Sequence, residues 1–117
     1  MPQVSFHIGW WKHKLFPLAQ LATTDGQLVE VVDVGLPNSN AGPDFFNAKI
    51  KINDTLWVGN VEIHDKASDW YMHRHDTDAH YNNVVLHVVE QADTTVKKQN
   101  GDTPPQLVLP VPQAVKL

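Results

Sequence analysis

Between Gly42 and Glu90 the chain concentrates its chemistry: five of its seven histidines (His64, His73, His75, His80, His87) with Asp44, Glu62, Asp65, Asp69, Asp76 and Asp78. Imidazoles and carboxylates at that density are the materials of metal binding and acid–base work. Asp44 follows Gly42-Pro43 at the mouth of an alternating apolar run, and Glu62 and His64 sit two apart in the next one. Residues two apart on a strand share a face, about 6.6 Å from one another. If the two runs pair, Asp44 and Glu62 reach one hard divalent cation, and Mg²⁺ favours one or two carboxylates plus waters. Such a cation lowers the pKa of a coordinated water and neutralises phosphoryl charge. On the blander reading Asp44 closes a turn and Glu62 is a solvated strand residue.

A second group is His73 and His75, with Asp76, Asp78 and His80 beside them. Imidazole suits Zn²⁺, Fe²⁺ or Mn²⁺. Asp69 and His73, at i and i+4, share a helical face, whereas His73 and His75 can share a ligand only in a loop. The same residues also make an ordinary polar helix end that caps carbonyls. His87, inside VVLHVV, is either a core histidine held through one nitrogen or, if it shares a face with His64, a ligand or proton shuttle.

The elements that must position these groups are mostly extended. Residues 5–16 (SFHIGWWKHKLF) have helical spacing, with Ser5 as N-cap and Pro17 as stop. LATTDGQLVEVV (21–32) reads as two extended pieces around Asp25-Gly26, a strong hairpin signal. The loop GLPNSNAGP (35–43) leads into FFNAKIKI (45–52), with Phe46, Ala48, Ile50 and Ile52 on one face and Asn47, Lys49 and Lys51 on the other. After a turn at Asn53-Asp54, TLWVGNVEIH (55–64) sets Val61 and Ile63 against Glu62 and His64. DKASDWYMHRH (65–75) is expected to be helical, capped by Ser68 or Asp69, with Trp70 and His73 on one face. NNVVLHVVE (82–90) has the near-continuous apolar character of a strand covered on both faces. A polar, turn-rich stretch (91–105) precedes a last strand, QLVLPVP, which Pro110 and Pro112 place at an edge or bring to an end. The tryptophans (Trp10, Trp11, Trp57, Trp70) are assigned to packing.

The fold class expected from this order is α+β or α/β. A central mixed sheet of four to six strands carries an N-terminal helix and a second helix between the third and fourth core strands, giving αβββαβ. The 117 residues make one domain, expected to be the N-terminal part of a longer protein. Without cysteine there is no disulfide framework and no thiolate ligand or nucleophile. The N-terminus lacks a signal-peptide pattern and no segment approaches roughly 18 apolar residues, so a cytoplasmic protein without a membrane span is expected. A net charge of −4 argues against a broad phosphate-binding surface, which weighs against nucleic acid as partner. No phosphate-cradling glycine loop, GxSxG elbow or HExxH occurs, and nothing calls for an organic cofactor.

The string GPDFFNAKIKI…WVGNVEIH…ASDWYMHRHD…YNNVVLHVV, with TTDGQLVEVVDVGLPNSNAGPDF before it, resembles an uncharacterised bacterial family common in Bacteroidetes, over roughly residues 6–110. Its members are typically longer, which implies a C-terminal part that adds site residues or a covering surface. The element order, with Pro43-Asp44 opening one strand and Glu62-Ile63-His64 in the next, is also similar to the core of PD-(D/E)xK nucleases. That resemblance implies a restriction-endonuclease-like fold in which Asp44 and Glu62 bind Mg²⁺, helped by the carbonyl of Ile63. His64 stands where those nucleases carry lysine; it would bind metal, act as a base, or mark lost activity. The expectation is therefore a metal-dependent phosphodiesterase or nuclease-like hydrolase. Asp44, Glu62 and His64 are its catalytic and metal residues, Asp69, His73, His75 and His87 are secondary, and Mg²⁺ or Mn²⁺ is preferred to Zn²⁺. The alternative is a non-catalytic scaffold that packs on the missing C-terminal region or on a partner protein.

Overall fold

The computed structural model describes residues 3–109, with side chains from Ile8 onward. The helix begins at Gln3, so Ser5 lies inside it rather than at its N-cap as expected, and the prolines at 110 and 112 lie outside the described residues. The chain forms α1 (Gln3–Lys12), β1 (Leu21–Ala22), β2 (Leu28–Asp33), β3 (Leu36–Pro37), β4 (Phe45–Ile52), β5 (Thr55–Lys66), α2 (Asp69–Met72), β6 (Val84–Gln91) and β7 (Gln106–Val108), with two 3-10 turns between α2 and β6.

The strands make one mixed sheet in the order β1-β2-β4-β5-β6-β7, with β3 pairing β4. Pairing is antiparallel up to β5 and parallel for β5–β6 and β6–β7. Beyond β7 the sheet curls back on its beginning. Thr23 bridges Leu107, and the Thr24 N–H donates to the Gln106 carbonyl at 2.9 Å. The expected helix-flanked, restriction-endonuclease-like order is thus corrected: the molecule is a nearly closed, barrel-like sheet with two short helices. Residues 65–75 give little helix because β5 runs on to Lys66 and Arg74 turns left-handed (φ 59), leaving four residues for α2. The last strand is not a free edge, because the closure onto Thr23 and Thr24 covers it.

The Asp25-Gly26 turn forms as its sequence predicts: Gly26 is at φ 88 and its N–H reaches the Thr23 carbonyl at 3.0 Å. In β4 the predicted alternation slips. Asn47 adopts φ 57 at a bulge, so Phe45 rather than Phe46 shares the buried face with Ala48, Ile50 and Ile52. In β5, Val61 and Ile63 enter the main core with Leu86 and Val88 of β6. Trp11 of α1 stacks on Phe16 and donates its indole N–H to the Val34 carbonyl at 3.0 Å, closing that core. Gly59 lets the start of β6 approach, since a Cβ there would lie 2.7 Å from the Asn83 carbonyl oxygen.

A smaller apolar cluster (Trp70, Tyr81, Val84, Val96) lies under α2 and the 3-10 turns. Of the four tryptophans, only Trp57 is exposed. Among the described residues no helix is long and apolar enough to cross a membrane.

Candidate metal centre

The parallel register of β5, β6 and β7 lays out the polar face. Glu62 pairs with His87, and His87 pairs with Gln106, so these three lie in one row across three strands. His64 stands two residues along from Glu62 on the same face. All four are buried. Burying such groups is costly unless each finds a partner, and the contacts show how that is met.

Glu62 is the hub. Its Oε2 lies 2.9 Å from His75 Nε2 and 3.1 Å from His64 Nε2, while Oε1 accepts the Asp44 N–H at 3.1 Å. Burial alone would raise this carboxyl; the His75 hydrogen bond and the close approach of the His64 ring overturn that and hold it well below the usual range. Asp44 goes the other way: burial, then the charge of Glu62, push it up to about 8. Its Oδ2 accepts the Ile63 N–H at 2.9 Å. One proton shared between neighbouring carboxylates, on Asp44 rather than Glu62, satisfies both environments.

The loop that delivers Asp44 is built by Asn38. Its side-chain amide donates to the carbonyls of Asn40, Ala41 and Pro43, and its backbone N–H donates to the Asp44 carbonyl at 2.8 Å.

The HRH segment supplies two more imidazoles. Met72 ends α2, His73 caps it, and left-handed Arg74 reverses the chain into the 3-10 turn at His75. That loop meets the condition under which His73 and His75 converge. Donor nitrogens of His64, His73 and His75 all lie within 4.8 Å of one another. His75 is sandwiched by aromatics: Tyr81 stacks on it at 3.7 Å between centroids, and Trp70 meets it edge-on at 5.3 Å. His73 is exposed, and desolvation followed by the nearby charges of His64 and His75 lowers its pKa.

An open cleft collects Asp44, Glu62, His64, His73 and His75, rimmed by Asn40, Ala41, Gly42, Asp78 and Tyr81. His87 stands behind the cleft, bonded to His64. Asp69 is not in it; its Oδ2 accepts the Lys66 N–H. Ser68 gives no side-chain cap to α2, because its hydroxyl donates to Asp93 at 2.6 Å. Trp70 and His73 do not share a fate either: the first is fully buried and the second exposed. His80 pairs with Asp78 at the surface. Sequence reasoning overlooked Asn38, Tyr81 and Gln106, and only Tyr81, next to the histidine cluster, stood where a pattern could have shown it.

This donor set fits a first-row divalent metal. Three imidazoles and a carboxylate are ligands for Zn²⁺, Mn²⁺ or Fe²⁺, whereas Mg²⁺ takes oxygen. His64 Nε2 points the same way, since it is buried and makes no hydrogen bond despite its 3.1 Å approach to Glu62. The family model described as Protein of unknown function (DUF2851) matches residues 6–116. No curated protein and no solved structure matches.

Proposed function

The chain belongs to the DUF2851 family, and from that premise we propose that it is a metal-dependent hydrolase acting on phosphodiester bonds, with the metal held by His64, His73, His75 and Glu62. The convergence of three imidazole nitrogens and a buried carboxylate in one open cleft carries the reading. A bound dication would lower the pKa of water and take up phosphoryl charge. The residues supply the rest. His75 is fixed by its stack on Tyr81 and oriented by Glu62. Glu62 lies within reach of both buried imidazoles, placed to orient them and to complete the donor set. Asp44 lines the cleft, locked by the Ile63 N–H. Zn²⁺ or Mn²⁺ replaces Mg²⁺ as the favoured metal because nitrogen donors dominate.

Calorimetric titration of chelator-stripped protein with Zn²⁺, Mn²⁺ and Mg²⁺ tests this, alongside turnover of bis(4-nitrophenyl) phosphate. Wild type should bind Zn²⁺ or Mn²⁺, and His75→Ala should lose that binding together with turnover. Metal affinity unchanged in His75→Ala would overturn the assignment of ligands. Binding without any phosphodiester turnover would remove the substrate class and leave a metal-binding module.

One observation favours the second reading, an interaction module. Leu56, Trp57 and Val58 are consecutive and exposed on β5, where β6 does not pair until Asn60. A pull toward self-association that disappears in Trp57→Ser would support it.

A further inference from the structure

Behind the cleft runs a chain of hydrogen bonds whose direction is set by one atom. The Thr94 carbonyl oxygen can only accept, and Gln106 Nε2 lies 3.1 Å from it. The Gln106 amide therefore turns its NH₂ to Thr94 and its Oε1 to His87 Nδ1, 3.0 Å away. An amide oxygen also only accepts, so His87 carries its proton on Nδ1. His87 is fully buried, and among the described residues its ring nitrogens meet the Gln106 amide and the His64 ring rather than a carboxylate that would stabilise a cation. It is neutral, with a bare Nε2. That nitrogen sits 2.7 Å from His64 Nδ1, which must then be the donor. At the far end a neutral His64 is left with an unprotonated Nε2, buried and 3.1 Å from Glu62 Oε2 in a geometry that makes no hydrogen bond. Two acceptors held that close repel each other unless an electrophile lies beside them.

We infer that Gln106 and His87 are positioning residues that fix His64 as its Nδ1–H tautomer and so present Nε2 to the cleft as a ready-made metal ligand. Metal-bound histidines commonly donate their other N–H to such a partner, which sets ring orientation and raises ligand basicity. Here the partner is a second histidine, itself oriented by an amide on the strand that closes the sheet. The role of Nε2 as a ligand rests on the metal reading above; the polarity of the relay does not.

The tautomers can be read in metal-free wild-type protein by long-range ¹H–¹⁵N correlation of the histidine rings. His64 and His87 should each be protonated on Nδ1 alone. Gln106→Leu and His87→Phe, which remove the acceptor at successive steps, should shift His64 toward the Nε2–H form and weaken Zn²⁺ binding by about 10- to 100-fold. A purely structural role would lower stability in those variants without moving the tautomer. An Nε2–H or doubly protonated His64 in wild type would overturn the relay. So would two folded variants whose Zn²⁺ affinity stays within about twofold of wild type. If neither variant folds, the wild-type spectrum still decides. The expected tautomers without Zn²⁺ binding would sustain the relay and sink the metal reading instead.

Discussion

β5 has two faces that are equally dry and differently made. On one, Val61 and Ile63 join the main core; on the other, Glu62 and His64 are buried to the same degree, at 5% and 3% exposure. The apolar face is stabilised by removing carbon from water, and any well-packed neighbour will serve. The polar face tolerates burial only because particular atoms meet: Glu62 with His75 and the Asp44 N–H, and His64 with His87. Stability is general on one side and specific on the other. A strand can thus carry a site at full burial if each of its polar groups is answered by name.

The contrast can be pressed hardest on the apolar side. Leu86→Ala, at a fully buried core position, should cost about 2–5 kcal/mol in chemical denaturation while leaving Zn²⁺ affinity unaltered wherever the variant is still folded. A loss of affinity there would show the two faces to be coupled.

Acid should strike the polar side. His87 is neutral in the fold down to about pH 3, whereas in the unfolded chain it takes a proton near pH 6.5. Above that pH neither state binds the proton and the group has no effect. Below it, only the unfolded state does, so stability falls as pH falls. Metal-free wild type should therefore lose about 1.4 kcal/mol per pH unit relative to His87→Phe between about pH 6 and pH 4. Parallel pH profiles for the two proteins would contradict that neutral, buried state.

The smallest effect belongs to an imidazole outside this frame. His80, whose side chain is 84% exposed, pairs with Asp78 at the surface. His80→Ala should change stability by no more than about 0.5 kcal/mol and leave Zn²⁺ titration untouched.

Much of this was legible in the residues. The alternation of TLWVGNVEIH set Glu62 and His64 opposite Val61 and Ile63, and the meeting of Asp44 with Glu62 followed from pairing the runs that hold them. The hairpin at Asp25-Gly26 was equally local. What escaped depended on distant partners or on one backbone angle. The bulge at Asn47 exchanged Phe45 for Phe46, and left-handed Arg74 shortened the helix and brought His73 to His75. Neither residue announces its angle, because tertiary context imposes it. Closure of the sheet through Thr23 and Leu107 joins positions that no sequence window contains, so the helix-flanked fold expected from element order gave way. Gln106 was invisible for the same reason: a lone glutamine opening a strand means nothing until Thr94 and His87 stand on either side of it.

The closure at Thr23 and Leu107 also sets a timetable. Hairpins such as β1–β2 and β4–β5 pair near neighbours and form quickly, whereas β6 and β7 join in parallel only after their crossovers are complete. A chain made from its N-terminus has Glu62, His64 and His75 in hand well before Gln106 exists. Until β7 docks, nothing polarises His87 and the His64 ring is free to choose its proton. The cleft therefore reaches its final form only when the last strand docks, in the order in which the sheet is made.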